Sequence, residues 1–160
     1  MSSFFAGDEP TADEFNDLFP RFKLKQADES VSASTTIQSD DELFLTVAAS
    51  TTYQVTLDLV INSPAAADFK CQWSTPAGVS GWWTITAQNL AAAAETVYQG
   101  SLSWAGQAQV EGNAADKAVR LRGVLATTVS GTLTFQWAQN TSSGTSTVKA
   151  NSLLTLQKIA

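Results

Sequence analysis

The side chains that most enzymes use for catalysis are scarce in this sequence. It contains no histidine and a single cysteine, Cys71. A Ser–His or Cys–His nucleophile pair and an ordinary zinc site are therefore excluded. Paired carboxylates can hydrolyse glycosidic bonds, but most acids beyond residue 42 lie beside predicted turns, where solvation explains them: Asp58, Asp68, Glu95, Glu111 and Asp116. We expect no enzyme activity and no cofactor.

Three consecutive acids, Asp40, Asp41 and Glu42, are the best candidates for metal ligands. Calcium loops place their carboxylates at alternating positions around a glycine. This run lacks that spacing, and a polar turn before a strand explains it more simply. We therefore expect no metal site.

Two adjacent tryptophans, Trp82 and Trp83, are the strongest candidates for ligand binding. Neighbouring residues of a strand point to opposite faces, so one of the two indoles could be exposed. An exposed indole can stack on a sugar ring or anchor an interface. Core or subunit packing is the simpler interpretation, and a sugar platform at Trp82 or Trp83 is the alternative. The other three tryptophans, Trp73, Trp104 and Trp137, alternate with polar residues and are predicted to lie in the core.

The composition fits one intracellular domain that binds neither nucleic acid nor membrane. A chain of 160 residues can bury a sizeable core without disulfides, and its lone cysteine, expected to be buried, suits a reducing cytoplasm. No apolar run is long enough to span a bilayer, and no signal peptide is recognisable. The net charge of −6 and the pI near 4.4 argue against a phosphate-rich partner.

The negative charge is concentrated at the beginning of the chain. Residues 1–42 carry ten acids and three bases, a net charge of −7, whereas residues 43–160 carry five acids and six bases, a net charge of +1. The sequence therefore divides into an acidic leader and a nearly neutral body. We predict a docking arm over residues 1–30 and a sandwich domain over residues 31–160.

A short helix is predicted within the leader, over about residues 12–18. Thr11 and Glu14 match the capping box, and Phe15, Leu18 and Phe19 then form one apolar stripe before a proline ends the helix. A helix this short is not stable alone in water. It must therefore pack against another surface.

Five of the eight phenylalanines lie in the first 22 residues. One interpretation is that the leader covers an open end of its own sandwich. The interpretation we favour is that it inserts apolar side chains into a partner subunit, as amphipathic segments do. The predicted docking residues are Phe4, Phe5, Phe15, Leu18, Phe19 and Phe22.

After residue 30 the apolar residues recur with period two, which is typical of half-buried strands. Turn signals rich in Gly, Pro, Asn and Ser separate the segments, and no helical pattern lies between them. The fold class predicted is an all-β antiparallel sandwich. The candidate strands are 43–47, 53–61, 69–73, 81–87, 96–110, 117–129, 133–137 and 147–159.

The C-terminal strand carries apolar residues on both faces. Leu154 and Leu156 share one face, whereas Leu153 and Ile159 lie on the other. The pattern indicates a central strand with one face in the core and the other near a subunit interface. The sequence does not decide which face is inward, so Leu153, Leu154, Leu156 and Ile159 are all candidate interface residues of a homo-oligomer.

Three stretches of the sequence resemble small virion proteins of tailed bacteriophages, in particular those of actinobacteria. The first, residues 5–16, is similar to the leader AGD-x-x-TA-x-x-x-N of phage head-fibre and tail proteins. The second comprises residues 25–31, 34–36 and 41–43. The third comprises residues 133–142 and 153–160. The resemblance spans essentially the whole chain.

The resemblance implies a structural protein with a jelly roll similar to that of the tumour-necrosis-factor class, often trimeric. Such a protein decorates the capsid, or belongs to a head fibre or the tail, and is assembled into the virion in the bacterial cytoplasm. The implied partners are major capsid or tail proteins. No long shaft is present, which favours attachment close to the particle surface. The alternative function is a host-carbohydrate-binding adhesion module of the phage tail.

Overall fold

The computed structural model describes residues 7, 9, 11, 19–88, 95–97 and 101–160. These residues contain β-strands and connecting loops and no helix. The strands are β1 (Arg21–Leu24), β2 (Glu29–Ser32), β3 (Gln38–Val47), β4 (Thr51–Asn62), β5 (Phe69–Ser74), β6 (Ser80–Gln88), β7 (Glu95–Val97), β8 (Ala108–Val110), β9 (Asp116–Thr127), β10 (Gly131–Gln139), β11 (Thr145–Val148) and β12 (Leu153–Lys158).

The strands form two antiparallel sheets, as the period-two pattern predicts. The large sheet has the order β1-β12-β4-β9-β6-β7, and β11 joins β2 to the end of β4. The small sheet has the order β3-β10-β5-β8. Strands from distant parts of the sequence are therefore neighbours in both sheets, and the predicted all-β antiparallel sandwich is confirmed.

The core lies between the inward faces of the two sheets. In β4 the alternating residues from Tyr53 to Ile61 are all at most 3% exposed. Across from them, Trp73 of the small sheet packs edge-on against Phe135 and Trp104, with ring centroids 5.5 and 5.9 Å apart. Trp137 and Cys71 are fully buried. The predicted core positions of Trp73, Trp104, Trp137 and Cys71 are therefore confirmed.

Two predicted strands are interrupted in the structure. The segment 96–110 was predicted as one bent strand, but β7 pairs with β6 in the large sheet and β8 pairs with β5 in the small one. The segment 147–159 is divided into β11 and β12 by a turn in which Asn151 has a φ of 66°. Both single-strand predictions are wrong, because alternation alone does not show where a chain leaves a sheet.

The large sheet begins within the predicted docking arm. β1 pairs with β12 from Arg21↔Leu156 to Leu24↔Leu153, so it forms the edge of the sheet beside the C-terminal strand. The arm predicted over residues 1–30 thus overlaps the sandwich by β1 and the beginning of β2. The helix predicted over residues 12–18 lies outside the described residues.

Candidate docking and binding surfaces

Two of the predicted docking residues are exposed in strand β1 or just before it. Phe19 is 55% exposed and Phe22 is 67% exposed, and Leu24 is 42% exposed on the same strand as Phe22. The other predicted docking residues, Phe4, Phe5, Phe15 and Leu18, lie outside the described part of the chain. Apolar side chains of this size are usually buried, so the run from Phe19 to Leu24 is a candidate docking surface.

The two faces of β1 differ in character. Arg21 donates a hydrogen bond from its guanidinium to Thr46 Oγ1 at 3.3 Å, and the Lys23 ammonium lies 5.5 Å from the ring centroid of Phe44. Both partners belong to β3 of the small sheet. The cations of β1 therefore close the gap between the sheets, while Phe22 and Leu24 point to the outer face of the large sheet.

A buried lysine fixes the end of β1 to the sandwich. Lys25 is 1% exposed, and its ammonium donates to Glu29 Oε2 and Asp40 Oδ1, each at 2.9 Å. Burial opposes the charged ammonium, but the hydrogen bonds to Glu29 and Asp40 outweigh it and raise the pKa of Lys25 above 10.5. Burial also raises the pKa of Glu29, although Lys25 and the Asp41 amide favour its ionised form.

Backbone contacts complete this anchor. Lys25 exchanges backbone hydrogen bonds with the turn before β12, because its N–H donates to Ser152 O and its carbonyl accepts from Asn151 N, both at 2.8 Å. Asp40 Oδ1 also accepts the amides of Glu42 and Leu43 at 3.0 and 2.9 Å. The acids that the sequence offered as metal ligands therefore include a buried structural carboxylate, Asp40, paired with a lysine.

The structure shows which face of the C-terminal strand points into the core. Leu154 and Leu156 are 0% and 1% exposed and belong to the core of their own chain. Their assignment as interface residues is wrong, because a side chain already enclosed between the two sheets cannot contact a second subunit. Leu153 is half-buried on the outer face, and Ile159 is 41% exposed.

The two adjacent tryptophans have opposite environments. Trp83 is 1% exposed and donates its indole N–H to Ser103 O at 2.8 Å, so it is a core residue and not a sugar platform. Trp82 is 46% exposed on the outer face of the large sheet. The alternation of a strand places the pair as expected, and only the tertiary structure decides which of them is outside.

Two glycines hold these tryptophans in place. Gly81 has a φ of 107°, and a Cβ there would lie 2.0 Å from Val124 O. A Cβ at Gly123 would lie 2.5 Å from Trp82 O and 2.8 Å from the Cβ of Trp83. Only glycine allows β6 and β9 to approach this closely. Trp82 therefore projects from a rigid pair of strands.

Strand pairing surrounds Trp82 with polar residues of the outer face. Trp82 lies opposite Val124, which lies opposite Gln54. In the next row Thr84 lies opposite Arg122. We call this group of residues (Trp82, Thr84, Arg122, Val124 and Gln54) the Trp82 face. Sequence reasoning missed all of it but Trp82, because the register between distant strands has no local signal.

Three acids of the body have structural partners. Asp58 forms an ion pair with Arg120, Asp116 accepts from the Asn62 amide at 2.9 Å, and Asp68 accepts from the Gly112 amide at 3.0 Å. A shallow depression of about 400 Å³ lies over the ion pair on the outer face. Burial raises the pKa of Cys71, which disfavours a reactive thiolate.

The described residues offer neither a metal cluster nor a membrane-spanning helix. Three or more His, Cys, Asp or Glu side chains do not group into a metal site there. In the same residues there is no helix with the length and apolar character needed to cross a membrane.

The comparisons with known proteins include a distant likeness to a solved structure. No protein-family model matches the chain, and no curated protein matches it. A solved structure of the tripod from the baseplate of bacteriophage Tuc2009 aligns with 99% of this chain and 78% of its own, at 12% identity and a TM-score of 0.38. A likeness this distant carries no argument about fold or function.

Proposed function

We propose that this chain is a non-enzymatic structural protein of a tailed-phage virion, attached to a capsid or tail protein through the segment that leads into β1. The observation that carries the proposal is the exposure of Phe19, Phe22 and Leu24 on a segment anchored by Lys25. The anchor holds the segment against the sandwich, and Phe22 and Leu24 are exposed on its outer face. The sequence resemblance to phage virion proteins supports a place in a tailed-phage virion.

The strand order supports a jelly roll. Without the accessory strands β2, β6, β7 and β11, the chain crosses between the sheets at every step except from β5 to β8, and the order β1-β12-β4-β9 faces β3-β10-β5-β8. Eight strands in two interleaved Greek keys are the arrangement of jelly rolls, which are common in viral capsid proteins. We assign the sandwich to this class, as the resemblance to the tumour-necrosis-factor class implies.

We further propose a homo-oligomer, with a trimer favoured by the resemblance. Leu153 lies on the outer face opposite Leu24 of β1, and Phe22 lies one row away opposite Thr155. The candidate interface is therefore Leu153 and Ile159, in and after β12, and Phe22 and Leu24 of β1 are left to the attachment surface. Closed symmetry would cover this strip without open-ended assembly.

Particle incorporation tests the attachment. In the phage that encodes this chain, the gene is deleted and complemented with wild type, Phe22→Thr or the control Val129→Thr, which changes another exposed apolar residue, on the β9–β10 turn. Burying a phenylalanine contributes about 1.5–3 kcal/mol. Phe22→Thr should therefore lower the amount of the chain on purified particles by at least about tenfold, whereas Val129→Thr should leave it unchanged.

Separated heads and tails then locate the chain, because mass spectrometry of each fraction shows which one carries it. Equal incorporation of Phe22→Thr and wild type would show that β1 is not the attachment surface. Absence of the wild-type chain from every particle fraction would contradict a virion protein altogether.

A second function, host-carbohydrate binding as an adhesion module, is favoured by one observation. Trp82 exposes nearly half of its surface from a rigid position in the large sheet, which is how aromatic side chains are offered to sugar rings. This function is compatible with the first, because Trp82 and β1 lie on different strands of the outer face.

A further inference from the structure

We propose that the Trp82 face binds an anionic saccharide, a sugar chain with carboxylate or phosphate groups, which stacks a ring on Trp82 and places its anion at Arg122. The proposal rests on the second function given above and specifies its ligand. It extends the sequence-based sugar platform, from which Trp83 is now removed, by naming the polar side chains that would recognise the sugar.

The residues before and after Trp82 in the sequence hold its backbone in place. Gly81 holds the backbone against Val124 O, and Trp83 is fixed in the core by its hydrogen bond to Ser103 O. Trp104 donates its indole N–H to the same Val124 carbonyl at 3.0 Å. These contacts fix the backbone from which the indole of Trp82 projects, and a preorganised site loses less conformational entropy when a ligand binds.

The surroundings of Trp82 favour a sugar over an apolar protein partner. Its neighbours in the sheet include Thr84, Gln54 and Arg122, and Val124 and Ala126 are the apolar ones. Interface hot spots are instead enclosed by apolar contacts that exclude water. An isolated indole beside amide, hydroxyl and guanidinium groups matches a ligand with one apolar face and many hydroxyls.

The charge of the Trp82 face comes from one side chain. Arg122 lies one row from Trp82, and no ion pair joins it to a carboxylate among the described residues. Arg120, two residues away on β9, is committed to Asp58. Asp116, the one acid of β9, is eight residues from Val124, roughly 27 Å along the strand.

A guanidinium without a carboxylate partner can bind a carboxylate or phosphate in a bidentate manner. The position of Arg122 beside an exposed indole therefore selects sugars that carry such groups over neutral sugars. Both anions share this chemistry, and the choice of probe distinguishes them.

Titration calorimetry with defined polymers tests the inference. The probes are polygalacturonate for carboxylate, a glycerol-phosphate teichoic acid for phosphate, and dextran as the neutral polymer. Trp82→Ala should weaken binding of every polymer that binds by at least about tenfold, and Arg122→Gln should do so for the anionic polymers only. Phe44→Ala and Lys70→Gln, exposed or half-buried residues of the small sheet, serve as controls and should match wild type.

The outcomes distinguish the choice of an anionic ligand from sugar binding itself. Binding that depends on Trp82 but is equal for dextran and the charged polymers, with no effect of Arg122→Gln, overturns the anionic ligand and retains sugar binding. No binding of any polymer, or binding unaffected by Trp82→Ala, overturns the sugar site itself. Neither result bears on attachment through β1, which particle incorporation measures. Circular dichroism of each variant shows that the fold is retained.

Discussion

At the scale of single residues, the most informative position is Lys25. Lysine is almost never fully buried unless it is paired, and here one ammonium joins the carboxylates of Glu29 and Asp40 beneath the link between β1 and β2. Removing one partner of a buried pair leaves the other charge without compensation. Such changes cost about 3–5 kcal/mol, far more than the net worth of the pair.

Lys25→Met should therefore lower the free energy of unfolding by about 3–5 kcal/mol in urea denaturation. Adding Asp40→Asn should recover part of the loss, because the amide oxygen still accepts the Glu42 and Leu43 amides and the buried negative charge is gone. A matched control is Lys149→Met, which removes a partly exposed ion pair with Asp28 and should cost far less, because solvent screens an exposed pair. If both lysine variants lose the same small amount, Lys25 is not a buried anchor.

The same residue predicts a dependence of stability on alkaline pH. The pKa of Lys25 is raised in the folded chain, so its contribution is fully present below the unfolded value of about 10.4 and is lost as pH rises through the folded value. The stability difference between wild type and Lys25→Met should stay constant from neutral pH to about pH 10 and shrink above it. A difference that stays constant up to pH 12 would contradict this ionic role.

At the scale of elements, β1 separates the leader from the sandwich. Deleting residues 1–18 removes only chain that precedes Phe19 and leaves β1, Lys25 and the core intact. Deleting residues 1–26 also removes β1 and the cation that compensates Asp40. We therefore expect the acidic, phenylalanine-rich leader to contribute to attachment, and β1 to contribute to the stability of the sandwich.

We expect the 1–18 deletion to unfold within about 0.5 kcal/mol of wild type, because surface changes away from structural contacts are usually that small. The 1–26 deletion should lose at least about 3 kcal/mol. Urea denaturation followed by tryptophan fluorescence measures both. Unfolding of the shorter deletion would mean that the leader covers its own sandwich, which is the alternative interpretation of its phenylalanines.

At the scale of the whole molecule, we expect the oligomeric state to depend on the outer face of β12, where Leu153 lies. The two leucines that begin β12 provide an internal comparison, because Leu153 is on the outer face and Leu154 is in the core. Leu153→Asp should give a folded monomer, since its charge remains in water when the subunits separate. Leu154→Asp should not fold, because an unpaired buried charge costs several kcal/mol out of a total stability of about 5–15 kcal/mol.

Multi-angle light scattering reports the mass of wild type and of each variant, and circular dichroism reports the fold. The wild-type chain should have a multiple of its 17.0 kDa mass. A wild type that is monomeric at micromolar concentration would remove the oligomer from the proposal and leave an isolated module.

Much of the sandwich could be predicted from local patterns. The alternation from Tyr53 to Ile61 predicted β4, and the polar partners of Trp73, Trp104 and Trp137 predicted their burial, because a strand with one buried face must repeat every two residues. The same rule predicted that Trp82 and Trp83 would face opposite sides. The same rule also predicted one strand over 147–159, although a turn in which Asn151 has a positive φ divides this segment into β11 and β12.

The sequence by itself determined the class of the fold, the acidic leader and the scarcity of catalytic side chains. The tertiary structure decided which tryptophan is exposed, which face of β12 is inward, and that Lys25 is buried with Asp40. The physical reason is that a single strand has no inside or outside until its partners are chosen. In this sandwich those partners come from distant parts of the chain, as when Leu24 pairs with Leu153 and Trp82 lies opposite Val124.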